Sequence, residues 1–84
     1  MLPRANQPDP DLAALAETEL NRYCDEHPRS PTAVRRPRIM RRGRSWIALL
    51  GSTLEDGVAG MGDTVRAALR SFDVQYRNSS RERG

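Results

Sequence analysis

RIMRRGRSWIALLGSTLEDGVAGMGDTVRAALRSF, residues 38–72, decides the fold. RIMRR and SWIALLG are short runs carrying β-branched and aromatic residues, and Gly43-Arg44 stands between them. Two such runs around a glycine spell a β-hairpin. STLEDG is a second turn, with Asp56-Gly57 suited to its tight end. VAGMG is a short third strand, weakened by Gly60, which brings no side chain to the sheet. From Asp63 the apolar period changes: Val65, Ala68, Leu69, Phe72 and Tyr76 recur along one helical face, with Asp63 or Thr64 as cap. The spacing predicts a helix over 63–77.

Towards the N-terminus, DPDLAALAETELNRYCDEHP (9–28) reads as a helix with both ends marked. Asp9 is a good N-cap, and Pro10 suits the first helical position, where its missing N–H costs nothing. Leu12, Leu15, Ala16, Leu20, Tyr23 and Cys24 form its apolar stripe. Pro28 ends it, because the residue before a proline avoids the helical region. The predicted span is 10–26. HPRSPTAVRRP (27–37), with three prolines and no period, reads as a linker. Residues 1–9 and 78–84 read as disordered ends, which leaves one domain over 10–77.

The expected fold is α+β: a two-layer α-β-β-β-α arrangement, its antiparallel three-stranded sheet carrying both helices on one face. In the central strand Ile47 and Leu49 point to one side, and Trp46, Ala48 and Leu50 to the other. Both sides are apolar, yet the helices can cover only one. The second side is then either thinly solvated or an interface; as an interface, Trp46, Ala48 and Leu50 are the candidate dimer face.

The charge is lopsided. All fourteen basic residues are arginine, and the net charge is +3. Residues 1–34 carry three Arg and six Asp/Glu, residues 35–44 six Arg and no acid, residues 45–84 five of each. A basic hairpin therefore sits beside an acidic helix. Arg35, Arg36, Arg38, Arg41, Arg42 and Arg44 are candidate contacts to phosphates or to a protein partner, with Trp46 as a stacking platform. The competing reading, favoured here, is a solvated edge strand whose charges discourage edge-to-edge association, with Trp46 as a core residue.

No catalytic, cofactor-binding or metal-ligating constellation is legible. Cys24 is alone, lies on the apolar stripe and reads as a small hydrophobe. Asp25, Glu26 and His27 are adjacent, so on a helix they diverge. Met40 and Met61 read as gap-fillers. Met1 to Pro10 lacks the apolar region of a signal peptide, and no apolar run reaches the roughly 20 residues of a membrane span. The expectation is a cytoplasmic protein, not an enzyme, without cofactor or membrane, that binds a protein partner or a second copy of itself and nucleic acid at most weakly.

Within GVAGMGDTVRAALRSF, Gly57, Gly62, Asp63, Thr64, Ala68 and Leu69 follow the pattern Gly, four residues, Gly-Asp-Thr, and later Ala-Leu. In this the chain resembles the N-terminal module of HicB-like antitoxins over residues 45–76, with SWIALLG in the place of that family's central strand. The resemblance implies a bacterial, antitoxin-like interaction module. LLGSTLEDG is longer than the family's Pro-Asp turn, Val58 stands where a cysteine is frequent, and Arg66-Ala67 replaces an acidic pair. The helix–three strands–helix order also resembles the double-stranded-RNA-binding domain, in topology only: where that family starts its second helix with lysines, this chain has Arg66 and Arg70.

Overall fold

The computed structural model describes residues 10–53 and 55–83; the disorder expected over 1–9 lies outside them. Its elements are α1 (Pro10–Glu26), α2 (Pro31–Arg35), β1 (Arg38–Arg42), β2 (Ser45–Leu50), β3 (Val58–Gly62) and α3 (Val65–Arg83). The strands form one antiparallel sheet in the order β1-β2-β3. The helices pack on that sheet, giving the α+β class expected from the sequence. The β1–β2 loop is Gly43-Arg44, with Gly43 at φ 62, the left-handed conformation that the first position of a two-residue hairpin turn asks of glycine.

Three elements differ from the sequence reading. The supposed linker contains α2, a single turn. Ser30 caps it, its Oγ accepting the Ala33 N–H at 3.1 Å, and Pro31 fills the first helical position. Five residues are too few to show a period, so only the Ser-Pro pair announces this helix. It ends on Arg36, which is left-handed at φ 48, a conformation costing a non-glycine residue about 1–2 kcal/mol. Two contacts back to α1 hold it there: the Arg36 guanidinium donates to Asn21 Oδ1 at 2.6 Å and to Cys24 Sγ at 3.5 Å.

The last helix does not stop at 77. Residues 78–83, read as a disordered tail, continue α3 to Arg83, because QYRNSSRER holds neither proline nor glycine to break it. Thr64 caps the start, its Oγ1 accepting the Ala67 N–H at 3.0 Å. In α1 the buried stripe is Ala16, Tyr23 and Cys24 with Leu12 and Leu20 half-buried; Leu15, expected on it, is 48% exposed.

The third difference is the side of the sheet the helices choose. Trp46 and Ala48 are buried in one cluster with Ala16 and Tyr23 of α1 and Val65, Ala68, Leu69 and Phe72 of α3; Leu50, Ile39 and Val58 pack against it. The face offered as a dimer surface, Trp46, Ala48 and Leu50, is therefore the covered one. The reason lies in β3. Gly60 and Gly62 pair with Ala48 and Trp46 and share their side of the sheet. A Cβ on Gly60 would strike the backbone of Phe72 and Ala68, and one on Gly62 would come within 2.6 Å of Ala68 N. The helix rests directly on bare strand backbone. Glycines that weaken a strand in isolation decide here which face the helix can approach.

Candidate functional site

The arginine run does not converge. Arg35 donates from Nε to the Tyr76 hydroxyl at 2.9 Å and lies over that ring. Arg36 is turned into α1, as described. Arg38 reaches the Gly51 carbonyl at 3.2 Å. Arg41 lies 5.6 Å from the Trp46 ring centroid and donates to the Gly43 carbonyl. Only Arg42 and Arg44 of the six reach no described group. Strand alternation also splits the run, since Arg38 and Arg42 share the side of Ile47 and Leu49 whereas Arg41 shares the side of Trp46. Trp46 is 8% exposed and offers no free face for base stacking.

What the sheet leaves open is its other side. Cross-strand pairing places Arg38, Met40 and Arg42 of β1, Ile47 and Leu49 of β2, and Ala59 and Met61 of β3 on it. Ile47 forms the floor at 1% exposure, flanked by its two partners Met40 and Met61. Leu49 is covered at the far end, where its Cδ1 lies against Gly57 of the β2–β3 turn. Met61 is 57% exposed. The result is a methionine-lined apolar strip with guanidinium groups along its β1 edge. Methionine side chains adapt to an incoming surface. The sequence reading takes both as gap-fillers; only the β1–β2 and β2–β3 registers together set them on either side of Ile47.

The helix layer is locked by a residue that periodicity did not single out. Asp73 is 5% exposed in mid-α3. Its Oδ2 accepts the Tyr23 hydroxyl of α1 at 2.6 Å, and its Oδ1 accepts the N–H and the hydroxyl of Thr32 at 2.8 and 2.7 Å. One carboxylate thus joins all three helices and satisfies an orphan N–H at the start of α2. Burial, and then the bond to Asp73, push the Tyr23 hydroxyl up to about 12. The sequence signal was present: an acid adjoining Phe72 of the apolar stripe, with a tyrosine and a threonine elsewhere to receive it.

Cys24 is buried and reduced, and burial pushes its thiol above the ordinary range against the pull of Arg36. A thiol so placed is not an activated nucleophile. His27 lies against Tyr23, ring centroids 4.5 Å apart. Glu26, beyond it, is bonded to Arg66 at 2.7 Å, which holds its carboxyl below the usual range. Among the described residues no three His, Cys, Asp or Glu side chains are grouped to hold a metal, and no described helix is long and apolar enough to cross a membrane.

No protein-family model, curated protein or solved structure matches this chain.

Proposed function

We propose that the protein is a non-catalytic interaction module that seats a protein partner on the open side of its sheet. The observation carrying this reading is the one-sided cover: Met61 stands 57% exposed beside Ile47, in a strip edged by Arg38 and Arg42. An apolar centre with a charged rim is the composition of a protein-binding patch. The rim is basic, and a two-fold pairing of this strip with itself would set arginine against arginine. A different protein, apolar at its centre and acidic at its border, fits better. The likeness of Gly57 to Leu69 to HicB-like antitoxins supports the more specific form, an antitoxin-like role with a toxin as partner.

The second reading, a nucleic-acid-binding protein using residues 35–44, has weaker support. With Arg35, Arg36, Arg38 and Arg41 engaged internally, two free guanidinium groups remain there, and two phosphate contacts give a log–log salt slope of only about −2.

The test is site-specific photocrosslinking in the native cell, with benzoylphenylalanine at Met61 and, as control, at Val34, which is 68% exposed elsewhere. The expected result is a discrete adduct with one heterologous protein from position 61, absent from position 34 and lost on Arg42→Glu. An adduct only with a second copy, or equal adducts from both positions, would remove the reading.

A further inference from the structure

Between the end of α1, the turn that follows it and α3 lies a cleft of about 530 Å³, open to solvent. Tyr23, His27, Arg29, Arg70, Asp73 and Arg77 carry its polar lining. We propose that this cleft is a binding site for the phosphate group of a small phosphorylated molecule, held by Arg29, Arg70 and Arg77. It is separate from the sheet face and shares no residue with the arginine-rich hairpin.

Arg22, Arg35, Arg36, Arg38, Arg41 and Arg66 each reach a described protein group. Arg29, Arg42, Arg44, Arg70 and Arg77 reach none by hydrogen bond or ion pair. Three of those five line this one cleft. Arg70 and Arg77 are seven residues apart, about two turns, so they rise from the same side of α3. Arg29 comes from a different element, the turn between α1 and α2 that holds Pro28 and Ser30. A planar guanidinium with paired N–H groups is the side chain best matched to phosphate oxygens.

The one acid in the lining is Asp73, and its oxygens are taken by Tyr23 and Thr32. Three arginines against one carboxylate leave 3 − 1 = +2 around the cleft, with His27 counted neutral. That excess equals the charge of a phosphate monoester dianion. Both Arg70 and Arg77 lie close enough to Tyr23, which also lines the cleft, for their charge to oppose the effect of burial on its hydroxyl. The cleft exceeds phosphate alone and lies in the size range of small-molecule sites. Pro28 and half-exposed Val74 supply apolar wall for an attached group. Another cleft among the described residues, near 270 Å³, has Arg35 already bonded to Tyr76 and Asp56 in its lining, and has no such excess.

The experiment is an NMR titration of the full chain with ribose 5-phosphate, with ribose as neutral control, at about 50 mM salt so that screening does not mask weak binding. Saturable shifts centred on Arg29, Arg70, Arg77 and His27 are expected, with a Kd on the order of 1 mM or tighter. Arg70→Gln/Arg77→Gln should weaken binding at least tenfold, about 1.4 kcal/mol. Arg42→Gln/Arg44→Gln removes the same charge from the hairpin and should change it less than about twofold. Arg29→Gln, outside α3 and without a hydrogen bond to a described group, provides a second reading should the α3 pair disturb the helix layer; it should weaken binding several-fold. Absence of saturation by about 20 mM, or equal loss in the hairpin variant, would overturn the site.

Discussion

Replacing Asp73 by alanine removes the acceptor for three donors at once. The Tyr23 hydroxyl borders an open cleft and can turn to water. The Thr32 hydroxyl has the Leu69 carbonyl 3.4 Å away as a poor second choice. The Thr32 N–H has nothing, and Thr32 is 0% exposed. Bonds to an ionised acceptor contribute about 1.5–3 kcal/mol each, and a stranded buried donor costs about 1–3 kcal/mol. Allowing for partial rescue of two of the three, Asp73→Ala should cost about 3–5 kcal/mol. A domain this small holds about 5 kcal/mol in total, so the variant should be largely unfolded at 37 °C. Asp73→Asn keeps a carbonyl oxygen for Thr32 and should cost only about 1–2 kcal/mol. Urea unfolding followed by Trp46 fluorescence measures both, since Trp46 reports the core that the helices close. A double-mutant cycle with Tyr23→Phe should return a coupling of at least about 1 kcal/mol. Equal costs for the alanine and asparagine variants, or a coupling near zero, would refute the claim that this carboxylate joins the helices.

Gly60→Ala should destabilise by about 3 kcal/mol or more, because the new methyl meets helix backbone instead of a movable side chain. Gly43→Ala, which meets nothing within 4 Å but sits at φ 62, should cost only about 1 kcal/mol; thermal melts that rank the two in reverse would contradict the close approach of α3 to β3. Tyr23 keeps its proton to about pH 12 when folded and to about 10 when unfolded. Between those values the folded state binds more protons, so stability is full below pH 10 and falls as pH rises to 12; Tyr23→Phe should flatten that fall in urea titrations.

The hairpin, the third strand and both long helices were legible because each carries a local signal: a turn glycine, a two-residue alternation, a cap followed by a stripe. What was not legible is the side of the sheet on which the helices settle. Ile47 and Leu49 against Trp46, Ala48 and Leu50 is a choice between two apolar rows, and composition does not separate them. The information lay in Gly60 and Gly62, whose meaning depends on the register that pairs them with Ala48 and Trp46. Asp73 was missed for a related reason. A periodic stripe records apolar residues, so an acid buried by its partners on two distant segments looks like any exposed helical position. The arginine run reads from the sequence chiefly as a solvated edge strand, since alternation along β1 divides its charges; what no spacing announces is the left-handed Arg36, which turns one of the six into α1.

The intimacy of α3 with β3 has a bearing on how the chain is made. The segment that roofs Trp46 and Ala48 is the last of the described elements to leave the ribosome. Until it does, the helix-facing side of the hairpin lies bare, and α1 has no Asp73 to receive Tyr23. Folding of this domain thus waits for α3 to emerge, which is then free to settle on the strand just before it across a two-residue joint. A ribosome stalled shortly after Gly62 would display an apolar, unroofed sheet, a form suited to chaperone capture or proteolysis and not to function.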